Sequence, residues 1–293
     1  MASWYVAVGI KILLRLIIRG QQVIFHESTL PIIQASPENS GVEIDLTRIV
    51  EDPSLRSKIH IFRDRCEAGS LLAGMIGERD DKPIVLAIPS GGVPVGYCLS
   101  KRLGASLDII LVRKIPIPGN PEAGFGAVAL DGTIVLNTIL VQDLGLTQKM
   151  TKLLAEDRLK EIRIREEKFR AGRAPPDLTG REIIIVDDGL ASGYTMLAAI
   201  ISVKKQNPKH VTVAVPTAHD EALNLISKHV DEVYCLNVRT GPFYAVADAY
   251  KKWYDLTDGE VMKYLTETWG RECRNTPTVK GKSQYEVKNL KIQ

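Results

Sequence analysis

Glu182 to Met196 reads EIIIVDDGLASGYTM. Ile183, Ile184, Ile185 and Val186 are β-branched and apolar without a break, which suits a short strand buried on both faces. Asp187 and Asp188 stand where that strand ends. Gly189, Ser192, Gly193 and Thr195 then give a loop of small residues, and Met196 to Lys204 continues with helical apolar spacing. Strand, acidic pair, glycine loop and helix, in that order, turn backbone N–H groups toward an anion at a helix N-terminus. A sugar phosphate fits such a loop.

A second unit of the same kind lies upstream. Ile84 to Ile88 is an apolar run that ends in Pro89-Ser90-Gly91-Gly92-Val93-Pro94, and a helical pattern follows to Leu103 before Gly104 stops it. A Gly-Gly pair directly after a central strand allows close approach of a ligand, although an ordinary strand-to-helix turn reads the same way in isolation. Leu107 to Val112 is a third apolar run and closes on Arg113-Lys114. The segment after it crowds Pro116, Pro118, Gly119, Pro121, Gly124 and Gly126, so it is no regular helix; its length points to a lid, with Arg113 and Lys114 at its root facing an anion or simply solvated. Gly124 to Ala129 satisfies GxGxxA, but no strand precedes it and no helix follows, so a dinucleotide fold is rejected. Phe125–Ala129 and Thr133–Leu136 around Asp131-Gly132 predict a hairpin.

Downstream, Val211–Val215 and Glu232–Leu236 are further apolar strands separated by a helix near Ala222–His229. Strands alternating with helices at this spacing predict an α/β domain in three layers around a mostly parallel sheet. Ligands in such domains lie beyond the carboxyl ends of the strands, so both glycine loops and Arg113-Lys114 are expected to converge there. Ile59 to Ile76 predicts a helix covering the sheet, with Arg63, Asp64, Arg65 and Glu67 turned away and no chemical role. The charge-dense stretch Lys149 to Arg170 carries a basic row (Arg158, Arg163, Arg165, Lys168, Arg170) interspersed with acids, which reads as a solvated helix face. Phe243, Tyr244, Tyr250, Trp253 and Tyr254 concentrate aromatics near the end, either to stack a planar base or to pack a core.

The chain's 293 residues, 45% hydrophobic and 25% charged, describe a globular protein with ample sequence for a core. A net charge of +3 does not call for bulk nucleic-acid binding. Cys66, Cys98, Cys235 and Cys273 form no CxxC pair and read as reduced structural thiols, which points to the cytoplasm. Residues 1–40 are read as an N-terminal extension, 41–269 as the functional domain and 270–293 as a loosely ordered tail. Lys11, Arg15 and Arg19 interrupt the apolar start at spacing four, too often for a spanning helix, which leaves a buried element or a membrane-surface stripe. No GxSxG, HExxH or Walker A pattern occurs.

Ile184 to Thr195 resembles the phosphoribosyl-pyrophosphate (PRPP) motif of type I phosphoribosyltransferases: an apolar strand, two acids, a short spacer, then Ser, Gly and Thr. SGGVPVG from Ser90, VRK from Val112, PGNPEAGFGAV from Pro118 and GPFYAV from Gly241 resemble a predicted phosphoribosyltransferase subgroup, and the likeness runs over roughly Phe62 to Val261. The resemblance implies that Asp187 and Asp188 hold the ribose hydroxyls and favour positive charge on the ring. It implies a 5′-phosphate loop of Gly189, Leu190, Ala191, Ser192, Gly193, Tyr194 and Thr195. Ser90, Gly91 and Gly92 would form the pyrophosphate loop, where a non-proline cis peptide is frequent in the family. Lys114, with Arg113, would neutralise the leaving pyrophosphate, and Mg²⁺ would bridge pyrophosphate and ribose oxygens, held mainly by PRPP and touching Asp187 and Asp188 weakly. The activity implied is transfer of the 5-phosphoribosyl group to a nitrogen base, within nucleotide metabolism and in a homo-oligomer; a non-catalytic PRPP sensor and a peripheral membrane protein are the alternatives. Ser90 stands where the family pattern has Arg or Lys, so the pyrophosphate loop is expected to lack one cation. Tyr194 replaces a small residue, and its side chain is expected to point outward.

Overall fold

A computed structural model of the chain describes the backbone of Ile32–Ala35 together with residues 48–79 and 81–275. Two sheets are present among them. β2 (Ile49–Glu51), β3 (Ile84–Ala87), β4 (Ser106–Ile109), β8 (Glu182–Val186), β9 (His210–His219) and β10 (Glu232–Arg239) form a six-stranded sheet in the order β2-β10-β9-β8-β3-β4. Every pairing in it is parallel. β1 (Ile32–Ala35), β5 (Val112–Ile117), β6 (Asn120–Ala129) and β7 (Ile134–Asn137) form a smaller sheet in the order β1-β7-β6-β5, antiparallel except where β1 joins β7.

The helices are α1 (Arg65–Ile76), α2 (Gly92–Leu103), α3 (Thr138–Asp143), α4 (Gln148–Arg170), α5 (Tyr194–Lys204), α6 (Asp220–Ser227) and α7 (Asp258–Asn275). A period of two along the strands sorts the core into two layers. Val85, Ala87, Ile184 and Val186 face the cluster built from α1, α2 and α7. Ile84, Leu86, Ile183 and Ile185 face the one built from α5 and α6. Helices on both faces of a parallel sheet are why these strands are apolar throughout rather than alternating.

Strand order fixes where a ligand can enter. From β3 the chain moves outward to β4, whereas from β8 it moves the other way to β9 and β10. β3 and β8 are neighbours, so the loops leaving them diverge and open a crevice at the switch point between them. Those loops are 88–91 and 187–193, the two glycine loops singled out above.

Four expectations need correction. Leu107–Val112 is not one strand: β4 ends at Ile109 in the central sheet and β5 starts at Val112 in the small one. Arg113 and Lys114 therefore sit inside β5 rather than at a central strand end. The Pro/Gly-rich segment is no irregular lid but the ribbon β5–β6, turning at Pro118-Gly119 with register shifts around Pro116, where proline donates no ladder bond. Cys66 and Cys98 are joined in a disulfide, because α1 and α2 bring their Cα atoms to 5.3 Å, a proximity that spacing in sequence does not encode. The hairpin at Asp131-Gly132 forms as β6 and β7, and GxGxxA lies within β6. Segment 1–40 contributes β1, and α7 runs to Asn275; the basic stripe from Lys11 lies outside the described residues. No helix among the described residues is long and apolar enough to cross a membrane.

The α1–α2 contact supplies a paired test. A Cβ on Gly69 would stand 2.2 Å from the Val95 carbonyl oxygen, whereas one on Gly74 of the same helix meets nothing within 4 Å. Gly74→Ala should stabilise by about 0.5–1 kcal/mol through helix propensity. Gly69→Ala should destabilise by about 1–2 kcal/mol net, because two helix backbones would have to separate. Denaturant midpoints of opposite sign within one helix are the expected result.

Candidate active site

Asp187 and Asp188 follow β8 directly, and both glycine loops close on them. A Cβ on Gly91 would lie 1.9 Å from Oδ2 of Asp188, and one on Gly92 would lie 2.7 Å from the Val186 carbonyl and 2.9 Å from the Asp187 Cα. Only glycine permits this approach at either position. The Ile88 N–H donates to the Val186 carbonyl at 2.9 Å, fastening the 88–92 turn to the end of β8. The Pro89–Ser90 peptide within it is cis.

The second loop is built to leave donors free. Leu190 exchanges backbone bonds with β9, its N–H donating to Thr217 at 3.0 Å and its carbonyl accepting from His219 at 2.9 Å. Gly193 then takes φ +80°, a left-handed conformation that disfavours a side chain, and serves as N-cap of α5 without any side-chain cap bond. The first N–H groups of α5 thus point into the crevice beside exposed Ser192 and half-buried Thr195, an anion-binding arrangement. Tyr194 corrects one expectation. Its side chain is 7% exposed and packs into the core under α5, so the bulky residue fills space behind the loop instead of facing solvent.

Two carboxylates this close cannot both ionise cheaply in a crevice. Asp188 receives a charge-assisted bond from Nε of Arg65 at 2.8 Å, with the two side chains 14% and 7% exposed. Arg65 also donates to the Tyr254 carbonyl at 2.9 Å and lies 3.9 Å from the centre of the Trp253 ring. The Tyr250 hydroxyl donates to the Asp188 carbonyl at 2.6 Å. Burial raises the Asp188 carboxyl, and Arg65 opposes that shift. Asp187 is pushed well above the usual carboxylate range, by burial first and by the Asp188 charge second. Burial and mutual repulsion thus make negative charge on the pair costly, most of all on Asp187.

Arg65 was assigned no role above, yet it is the counter-ion of the site. One signal could have found it. Asp64 is the N-cap of α1, accepting from the Glu67 N–H at 2.9 Å, which puts Arg65 at the first helical position. A cation there opposes the helix dipole and needs a carboxylate elsewhere. The aromatic segment is partly spent on the same job: Tyr250 is buried and Trp253 stacks on Arg65, while Phe243 stays 88% exposed.

Arg113 and Lys114 do not both meet the pair. Lys114 is exposed, its methylenes lie against Gly124 and its ammonium donates to the Glu122 carbonyl. Arg113 pairs with Glu161 of α4 at 3.5 Å; its pKa is lowered by burial first, and the neighbouring cations Arg165 and Arg158 add to that while Glu161 opposes it. The basic row on α4 is not wholly solvated either. Arg165 is 17% exposed, and its Nη2 donates to the Ser90 hydroxyl at 2.9 Å and to Asp258 of α7 at 3.0 Å.

With this geometry in hand, comparison with known proteins is decisive. The family model described as Phosphoribosyl transferase domain matches residues 66–248. The chain belongs to that family. A Mycobacterium tuberculosis protein provisionally named a phosphoribosyl transferase is 37% identical over 206 residues, covering 70% of this chain and 46% of the relative. The chain thus spans just under half the length of that relative. A uracil phosphoribosyltransferase from Bifidobacterium adolescentis is 28% identical over 191 residues, 62% of this chain and 80% of its own. A crystal structure from Thermus thermophilus is similar with a TM-score of 0.59 and 38% identity, covering 71% of this chain and 98% of that one. The phosphoribosyl transferase domain thus contains the crevice, both glycine loops and the Cys66–Cys98 disulfide.

The charge state of the pair can be read from stability. The folded Asp187 value lies above the unfolded one of about 3.9, so its contribution is full below that pH and is lost as pH rises through the folded value. Asp187→Asn escapes the loss. Its stability relative to the parent should climb as pH rises above about 4, by up to about 1.4 kcal/mol per pH unit, measured by urea denaturation at each pH. Arg65→Met should cost about 3 kcal/mol by stranding Asp188, and adding Asp188→Asn should return part of it.

Proposed function

We propose that this chain is a phosphoribosyltransferase that binds PRPP and transfers its 5-phosphoribosyl group to a nitrogen base, releasing pyrophosphate. The observation that carries the reading is the convergence of the acidic pair and both glycine loops at the β3–β8 switch point. In this reading the α5 N-terminus, with Ser192 and Thr195, takes the 5′-phosphate. Asp187 and Asp188 accept hydrogen bonds from the ribose hydroxyls, and the backbone at Ser90, Gly91 and Gly92 receives the pyrophosphate.

Displacement at C1′ breaks the bond to the pyrophosphate oxygen and forms one to the base nitrogen, with inversion. Positive charge gathers on the ring as the bond breaks, and the carboxylates lie on the side where it gathers. Burial and the Asp188 charge make an ionised Asp187 costly, so a cationic partner arriving there would meet a carboxylate that gains from it. Mg²⁺ fits this donor set as a metal that arrives with the ligand: among the described residues no group of three or more His, Cys, Asp or Glu forms a cage, and Asp187 and Asp188 would meet it while it neutralises pyrophosphate charge. Lys114 donates to the Glu122 carbonyl within the β5–β6 ribbon, and a role for it toward pyrophosphate would require that contact to open.

A PRPP sensor without turnover is the competing reading, favoured by Ser90 and by the basic stripe at Lys11, Arg15 and Arg19, which lies outside the described residues. Arg165 on the Ser90 hydroxyl supplies a cation at that spot, which favours turnover. The test is a screen of bases with PRPP and Mg²⁺, following pyrophosphate release; uracil comes first, because the Bifidobacterium relative is named for it. Asp187→Asn and Asp188→Asn should each lower kcat by about 100-fold or more while the fold is kept. No saturable PRPP binding, or turnover indifferent to both substitutions, overturns the reading.

A further inference from the structure

Ser90 stands where the family pattern has a basic residue, and the cation reaches the loop from elsewhere. α4 passes beside the β3 loop, and Arg165 extends its guanidinium to the Ser90 hydroxyl at 2.9 Å. Asp258, near the start of α7, holds the same nitrogen at 3.0 Å, and the Phe169 ring lies 4.9 Å from the guanidinium carbon. Both hydrogen bonds leave from Nη2. A guanidinium carries further donors on Nη1 and Nε, in a planar fork that matches phosphate oxygens. Arg113 of β5 feels the charges of both Arg165 and Arg158, and Glu161 and Asp258 are the carboxylates that oppose them. Lys168 also draws on Asp258 at 2.7 Å.

We infer that Arg165 is the pyrophosphate-binding cation of the site, delivered by α4 and aimed by Asp258, in place of the basic residue that Ser90 displaces. The assignment rests on the proposed function and adds to it a binding residue outside both glycine loops. Arg165 touches the leaving group, and Ser90 is short because a longer side chain would occupy the space its guanidinium fills. The arrangement also ties α7 to the site: Asp258 begins that helix, and its charge fixes where the guanidinium points.

Calorimetry with three probes separates the outcomes: PRPP, inorganic pyrophosphate and ribose 5-phosphate, each with Mg²⁺. In Arg165→Gln, affinity for PRPP and pyrophosphate should fall about tenfold or more, as expected for a charged hydrogen bond. Ribose 5-phosphate, which lacks the pyrophosphate, should bind as in the parent. In turnover assays KM for PRPP should rise more than kcat falls, with Arg165→Lys intermediate because it keeps the charge and loses the fork. Adding Ser90→Arg to Arg165→Gln should restore part of the pyrophosphate affinity, which a purely structural Arg165–Asp258 bond would not explain. Equal weakening of all three probes, no weakening, or no recovery from Ser90→Arg in a variant that melts like the parent overturns the assignment. Failure of the unaltered protein to bind PRPP overturns the proposed function along with it, whereas tight parental PRPP binding with an indifferent Arg165→Gln overturns this assignment alone.

Discussion

Two neighbouring carboxylates at the end of a buried strand are the constraint to which the rest of this molecule responds. Placed in a crevice, Asp187 and Asp188 repel each other and lose hydration, which raises both carboxyls and calls for a cation beside them. Arg65 is the cation, and its placement has consequences. It draws the start of α1 to the end of β8, and Trp253 covers its flat face. The Tyr250 hydroxyl secures the Asp188 backbone from the same side. Removing that ion pair would therefore loosen α1, the acidic turn and the aromatic segment together, because all three are organised about one guanidinium.

Glycine carries the other half of the arrangement. The β3 loop approaches Asp188 so closely that a methyl group at Gly91 would overlap its carboxylate, and Gly189 lies as tightly against Val246 and Thr217. The segment read in sequence as GPFYAV thus closes over the acidic turn through Val246, while Tyr244 approaches the Thr217 hydroxyl at 3.5 Å. Phe243, one residue before Tyr244, is left to solvent beside the crevice rather than in a core. Strands and loops at the switch point are consequently determined by backbone clearance, whereas the segment over them is determined by side-chain packing.

That division explains what could be read in advance. The apolar runs at Ile84 and Ile183 announce parallel strands because burial on both faces leaves no polar position, and the Asp-Asp and Gly-Gly signals are local in sequence. The Asp131-Gly132 turn is local as well. Arg65, Arg165 and Asp258 were missed for the opposite reason: each acts on a residue 75 or more positions away, and alone each looks like a surface charge. Arg158 and Arg165 are seven residues apart on a long helix and so share a face, a hint that the basic row was ordered rather than scattered. The Cys66–Cys98 bond and the division of Leu107–Val112 between two sheets depend on helix packing and strand exchange, which periodicity does not report.

Charge placement finally bears on turnover against mere retention of the ligand. In the crevice the carboxylates are restrained by Arg65, and Arg165 of α4 reaches the neighbouring loop at Ser90. A site that only held PRPP would gain from positive charge everywhere, because the ligand is an anion throughout. In the proposed reaction, carboxylates beside the ribose oppose the charge of that anion while accepting from its hydroxyls, and their own charge helps most when the sugar ring becomes positive as its bond to pyrophosphate lengthens. In the proposed function the acidic end of the site is therefore matched to positive charge that develops during reaction.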